Sequence, residues 1–277
     1  MAGSSETPWK HGIEPMSSAE AHNARAWDAL ARQGIPLARP LLDGDMQQAF
    51  ATLDPAGWLG DVRGRRVLCL AAGGGRHSAL YAAAGAQVTV VDISGEMLAL
   101  DRSVAAERGF DVRVVQTSMS DLAMFAPGEF DVVVHPVSTC YVPDVQPVFD
   151  AVARVTRPGG IYVSQHKTPT SLQATLRPGP AGYALAEPYY REGALPAAAE
   201  PSHLRETGTL EYLHRWEQLI GGICRAGFVV EDLVEPMHAK PQAAAGSFAH
   251  RASFVAPYVR IKARRNARID ALPSLVM

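Results

Sequence analysis

The sequence predicts an α/β fold: a doubly wound, mostly parallel sheet of seven strands with helices on both faces, an N-terminal helical cap and an inserted lid. Three observations carry that expectation. From residue 63 onward, short apolar runs alternate with segments of helical period, as in βαβ units on a parallel sheet. The first run empties into three consecutive glycines in VLCLAAGGGRHS, residues 67 to 78, and the second ends on an acid, Asp92. Crossover handedness makes such a sheet doubly wound, with ligands expected outside the carboxyl ends of its strands.

The elements follow in order. Residues 1 to 15 are polar and read as a mobile arm. MSSAEAHNARAWDALARQG is a helix capped by Ser17 or Ser18, with Glu20 in its first turn, and Gly34 and Pro36 stop it. A short helix is expected near DMQQAFATL. RRVLCLAA is the first strand and RHSALYAAAG a helix ending at Gly85. AQVTVVD is the second strand, SGEMLALDRSVAAERG a helix capped by Ser94 and closed by Gly109, FDVRVVQT the third strand and FDVVVHP the fourth. VQPVFDAVARVT is a helix closed by RPGG, before the strand IYVSQH. Residues 169 to 210 break the rhythm with prolines and with Tyr183, Tyr189 and Tyr190, so they are expected to form a lid. LEYLHRWEQLIGGICRAGF then reads as a helix, FVVEDLVE as a strand and SFAHRASFVAPYVRIKA as one or two more. The expected division is an arm 1–15, a cap 16–62, a core 63–168, the lid 169–210, a completion of the sheet 211–264 and a tail 265–277.

Composition bounds the function. With 277 residues, 47% of them hydrophobic and 19% charged, the chain can bury a full core. A net charge of −2 argues against a broad nucleic-acid-binding face, and KARRNAR, residues 262 to 268, reads as a solvated tail. Cys69, Cys140 and Cys224 are far apart and form neither a disulfide framework nor a zinc pattern, which fits a reducing compartment. No signal peptide and no membrane-spanning run is read, so a cytoplasmic protein with no membrane partner is expected.

Gly73 to Gly75 let the backbone bend and approach a ligand with no Cβ in the way, and the following helix offers unpaired N–H groups. Asp92 could accept both hydroxyls of a ribose, so the pattern points to a nucleoside-containing cofactor. A dinucleotide calls for G-x-G-x-x-G, and Ser78 stands where the third glycine belongs. S-adenosyl-L-methionine needs only the early glycines.

Over residues 65 to 166 the sequence resembles the class I S-adenosylmethionine-dependent methyltransferases, whose fold is Rossmann-like. VLCLAAGGG looks like the glycine motif, VTVVDIS like the motif with the ribose acid, QTSMSDL like the adenine-side loop and FDVVVHPVS like the motif after strand four. VARVTRPGGIYV is similar to the helix and strand that follow. The resemblance implies S-adenosyl-L-methionine as cofactor, with Gly73 and Gly75 lining the methionine and ribose, Asp92 on the ribose and Ile93 on the adenine. Ser118 and Met119 would flank the adenine and His135 the amino-acid end. The chain departs from the pattern at Cys69, where an acid is usual, at Ala71, where a first glycine is usual, and at Ser118, where an acid is common. Backbone carbonyls near Ala71 and His135, and Asp121 or backbone near the adenine, would then take over those contacts.

NARAWDAL, HPVSTCYVPDV and HRWEQLIGGICRAGF are similar to stretches of a bacterial small-molecule subgroup, and indole C3-methyltransferases of natural-product pathways share the layout. That implies a small aromatic or heteroaromatic acceptor. Methyl transfer needs alignment and, for some acceptors, a base. His214, with Glu217 one turn later to orient it, is the first candidate, His135 the second and His166 a third. His22 and Trp27 could cap the acceptor and Tyr141, Tyr183 and Tyr189 could wall it, although a tryptophan at this spacing is more often core and tyrosines in an insert often just hold it down.

Tyr258 and Lys262 spell Y-x-x-x-K, but in a strand they stand about 13 Å apart. No metal is expected. The competing readings are a nicotinamide-dependent oxidoreductase and a non-catalytic S-adenosylmethionine-binding subunit. The acceptor atom and the oligomeric state stay open, a homodimer among the options because the arm could reach a neighbouring copy.

Overall fold

The structure is a computed structural model that describes residues 17–36, 53–198, 202 and 204–267. The N-terminal arm, nearly all of the segment expected to be helical around DMQQAFATL and the last ten residues lie outside them.

Helix α1 (Ser18–Arg32) begins on a complete capping box: Glu20 N–H donates to the Ser17 hydroxyl at 3.3 Å and Ser17 N–H to the Glu20 carboxylate at 2.8 Å. The core then alternates as its periodicity requires: β1 (Arg66–Leu70), α2 (His77–Ala83), β2 (Gln87–Asp92), α3 (Gly95–Arg108), β3 (Val112–Gln116), β4 (Phe130–His135), α4 (Gln146–Val155) and β5 (Thr156–Lys167). Ser94 caps α3 and Gly109 ends it at φ +68°. After a short α5 (Pro169–Gln173) comes irregular chain, then a π-helical turn (Glu217–Gly221) running into α6 (Gly222–Arg225). β6 (Phe228–Val234), α7 (Phe248–Arg251) and β7 (Tyr258–Arg265) complete the fold.

The seven strands are ordered β3-β2-β1-β4-β5-β7-β6, parallel except for β7, which runs antiparallel to both neighbours. Strand β1 shows why both faces are covered. Leu68 and Leu70 join a core with Phe149, Val152 and Tyr162, whereas Val67 and Cys69 join the opposite core with Tyr81 and Leu98. Cys69 is fully buried there, and burial pushes its thiol pKa up.

Three segments depart from the sequence expectation. RPGG does not close α4 as a loop; it is the bulged start of β5, where the register with β4 shifts between Phe130 and Val132. The helix expected over residues 210 to 228 begins only at Glu217, because the chain before it is extended and Tyr212 pairs with Ala194. The segment after residue 247 opens with a helical turn, α7, before β7. Tyr258 and Lys262 lie on β7 itself.

At the end of β1, Ala71 adopts φ +47°, a left-handed conformation that its Cβ disfavours by about 1–2 kcal/mol. Ala71→Gly should therefore raise the free energy of unfolding by about 0.5–1 kcal/mol and Ala71→Val should lower it by about 1–2 kcal/mol, read from urea denaturation.

Candidate active site

The turn after β1 is held from below by two carboxylates. Asp92, at the tip of β2, accepts Gly73 N–H at 2.9 Å on one oxygen and Ser94 N–H at 2.9 Å on the other. Asp101, fully buried on α3, accepts Gly74 N–H at 2.9 Å and a short hydrogen bond from the Ser78 hydroxyl. The glycines are required by space. A Cβ on Gly73 would stand 2.8 Å from Met97 Cβ and 2.9 Å from an Asp92 oxygen; one on Gly75, at φ +76°, would stand 2.9 Å from Val104. Burial raises the Asp92 pKa against the N–H donors from Ser94 and Gly73. Burial also lifts Asp101 to about 6, opposed by hydrogen bonds from Ser78, Gly74 and Gly75.

Above this turn lies a cavity of about 190 Å³. Its floor is Ala71, Ala72, Gly73 and Asp92; one side is Ile93, Met97, Thr117, Ser118 and Met119; the other is Pro136, Val137, Ser138, Tyr141 and Val142. Arg76 and His77, at the start of α2, and Glu20, Asn23 and Trp27, on α1, close it. Burial, with the charges of Arg76 and Arg260, lowers His77 to about 4, so its imidazole is neutral at physiological pH.

Helix α1 is fastened across the cavity by polar contacts. Asn23 donates to the carbonyls of Tyr141 at 2.9 Å and Leu210 at 3.0 Å, and accepts Leu210 N–H at 2.8 Å. Asp28 accepts the Ser94 hydroxyl at 2.6 Å and Arg32 pairs with Glu96 at 2.8 Å. Trp27 meets the Tyr141 ring edge to face, centroids 5.5 Å apart.

Behind Tyr141 is a buried ionic cluster. The Tyr141 hydroxyl donates to Glu206 at 2.5 Å; Lys167 bridges Glu206 at 3.2 Å and Glu211 at 2.7 Å; Arg205 makes a short contact to Glu211. Burial raises the Glu206 pKa, but the Lys167 ammonium together with hydrogen bonds from Tyr141 and Lys167 outweighs it, and the net direction is down. Tyr141 is driven well up, chiefly by burial.

Residues 68–164 match the family described as the methyltransferase domain. An uncharacterized methyltransferase of Bacillus subtilis (strain 168), YbaJ, is 32% identical over 233 residues, covering 79% of this chain and 91% of that one. The chain belongs to the class I S-adenosylmethionine-dependent methyltransferases. A ubiquinone biosynthesis O-methyltransferase of Bordetella bronchiseptica is 32% identical over 165 residues, 55% of this chain and 68% of that one. Among solved structures, an S-adenosylmethionine-dependent methyltransferase from Mesorhizobium loti aligns with a TM-score of 0.58 at 24% identity, covering 76% of this chain and 96% of that one. A geranyl diphosphate C-methyltransferase from Streptomyces coelicolor A3(2) aligns at 0.60 and 15% identity, covering 91% and 100%. Both share the fold.

S-adenosyl-L-methionine is the cofactor of this methyltransferase, and the cavity fits it. The floor admits no Cβ at Gly73, and each Asp92 oxygen that accepts a backbone N–H keeps lone-pair capacity for a ribose hydroxyl.

The expected site residues divide into two groups. Ala71, Gly73, Asp92, Ile93, Ser118, Met119, Trp27 and Tyr141 line the one cavity. Gly75 lies outside its lining, where its missing side chain lets the turn pack on α3. Asp121 caps Ala123 N–H at 3.2 Å. His135 has both ring nitrogens occupied, by the Tyr162 hydroxyl at 2.8 Å and the Ser138 hydroxyl at 2.6 Å, and burial lowers it to about 3. His166 is likewise bonded to Thr139 at 2.8 Å and Ser164 at 2.8 Å. His214 donates from Nε2 to the carbonyls of Thr139 at 2.9 Å and Val142 at 3.0 Å, while the exposed Glu217 pairs with Arg215 at 3.4 Å. The expected orientation of His214 by Glu217 is thus replaced by backbone carbonyls. His22 bonds the Gly208 carbonyl at 2.8 Å, Tyr183 packs on His250 and Phe254, and Tyr189 meets Tyr190 and Trp216. These three hold irregular chain after α5 rather than line the cavity.

Sequence reasoning passed over Asp101, Glu20, Asn23 and the Lys167 cluster. Glu20 and Ser17 had only a capping signal, and Asp101 lies in an ordinary amphipathic stretch.

Because Asp101 holds its proton more firmly folded than unfolded, it contributes stability below about pH 4 that is lost as pH rises toward 6. Asp101→Asn removes that titration. Between about pH 4.5 and 7 the wild type should lose about 2 kcal/mol relative to the variant, measured by urea denaturation at both values.

Proposed function

We propose that this methyltransferase methylates a small aromatic or heteroaromatic metabolite, with indole C3 of a tryptophan-derived product as the leading acceptor. The observation that supports this most is the Trp27–Tyr141 pair, two rings at an edge-to-face distance of 5.5 Å on the wall of the cavity that also holds Asp92. Such a pair grips a flat ring by its faces and edges.

When bound, S-adenosyl-L-methionine supplies an electrophilic methyl group on a sulfonium. The residues of the chain hold and align. Asp92 takes the ribose hydroxyls, Ile93 and Met119 enclose the adenine, and Arg76 offers a cation to the carboxylate end. His135, His166 and His214 fix the loop after β4 by hydrogen bonds to its hydroxyls and carbonyls, and so set the position of Tyr141. His214 is therefore proposed as a positioning residue in place of a base. A proton leaving the acceptor passes to the Tyr141 hydroxyl, which hands its own to Glu206. A sulfonium leaves a neutral nucleophile positively charged and strongly acidic, so a carboxylate of depressed pKa suffices.

Two variants separate the halves of this reading. Asp92→Ala should abolish detectable binding of S-adenosylhomocysteine in calorimetry; unaltered affinity contradicts the placement of the ribose. Trp27→Ala should leave that affinity within about threefold while raising KM at least tenfold for indole acceptors. Turnover confined to aliphatic acceptors in a substrate panel would remove the aromatic assignment.

A further inference from the structure

The cavity contains two carboxylates, and the ribose accounts for one of them. The second is Glu20, in the first turn of α1. One of its oxygens accepts Ser17 N–H at 2.8 Å. The other accepts the Ser120 hydroxyl at 2.9 Å and a short hydrogen bond from the Ser118 hydroxyl. Burial raises the pKa of this carboxyl, but the hydrogen bonds from Ser118, Ser17 and Ser120 outweigh it, so the group is charged at neutral pH.

A charge at the lining of a cavity, aimed by two serine hydroxyls, asks for a donor from whatever fills the space. An adenosyl group has two sets of neutral donors: the ribose hydroxyls and the exocyclic amine of the base. The ribose set belongs to Asp92, at the tip of β2. The sheet order β3-β2-β1-β4 decides where the other end of the nucleoside points. Glu20 meets Ser118 and Ser120, on the loop after β3, whereas the aromatic wall contains Tyr141, on the loop after β4. The reacting end and its ammonium face the β4 side, so the group that reaches Glu20 is the base.

We propose that Glu20 receives the exocyclic amine of the cofactor's adenine, so that helix α1 supplies the acid that Ser118 does not. This rests on the ribose placement above and adds to it a reader of base identity. α1 then touches both ligands, the adenine through Glu20 and the acceptor through Trp27, about 10 Å apart along one helix.

The test is calorimetry with two probes: S-adenosylhomocysteine and its hypoxanthine counterpart, in which a carbonyl oxygen replaces the amine and N1 carries a proton, so the wild-type ratio is read against that of Glu20→Gln. Facing a carboxylate, that oxygen is repelled. The wild type should bind the adenine form about 100-fold more tightly. Glu20→Gln, whose amide can serve either base, should bring the ratio below about fivefold. Asp92→Asn should weaken both probes together and leave the ratio unchanged. Equal affinity of the wild type for the two probes overturns the proposal, as does a wild-type ratio in Glu20→Gln. Should that variant not fold, Ser118→Ala, which removes one of the hydroxyls that aim the Glu20 carboxylate, should reduce the ratio severalfold, and an unchanged ratio there overturns the proposal. Failure of the wild type to bind either probe brings down the ribose placement along with it.

Discussion

The structure depends on a backbone turn gripped by side-chain carboxylates. Three N–H groups around the end of β1 and the start of α3 could have been left to solvent or ligand. Instead Asp92 and Asp101 take those of Gly73, Ser94 and Gly74. The two acids sit on β2 and α3, so the glycine turn is fixed relative to the neighbouring strand and not merely to its own. Burying two carboxylates close together is costly, and the raised pKa values of both are the sign of that cost. The return is a rigid floor on which a nucleoside can lie against bare backbone.

From that floor the site is built outward by the sheet order. β3, β2, β1 and β4 stand side by side, so their carboxyl ends offer an ordered row of loops. In the proposed reading, adenine, ribose, methionine and acceptor map onto that row. Helix α1 runs over it and touches the loops after β2, β3 and β4 through Asp28, Glu20 and Asn23. The cap is therefore part of the ligand cavity, and its polar contacts matter more than its modest apolar face.

Much of this was legible in the sequence because the relevant signals are local. Alternation of period along the core, the glycine triplet, Ser94 before α3 and the Ser17–Glu20 box each act within a few residues, and each element stands where expected. The helix predicted from Leu210 failed because pairing between Tyr212 and Ala194 overrides a local apolar period. RPGG reads as a loop, and becomes strand only because β4 offers it a partner. The site residues follow the same division. The glycines form one turn and Asp92 ends the next strand, so each could be read from its local pattern. His214 could not, since what occupies its ring nitrogen is a pair of backbone carbonyls some 70 residues earlier in the chain, at Thr139 and Val142. Asp101 and Glu20 gain their roles only through contacts across the fold.

The cluster behind Tyr141 has a bearing on how such enzymes diverge. Lys167, Arg205, Glu206 and Glu211 cancel in charge and are almost sealed from water. Exchanging any one of them alone strands an unmatched ion in a medium of low permittivity, a penalty of several kcal/mol. Such a quartet tolerates exchange only in pairs, whereas the aromatic rings in front of it can be replaced without stranding a charge.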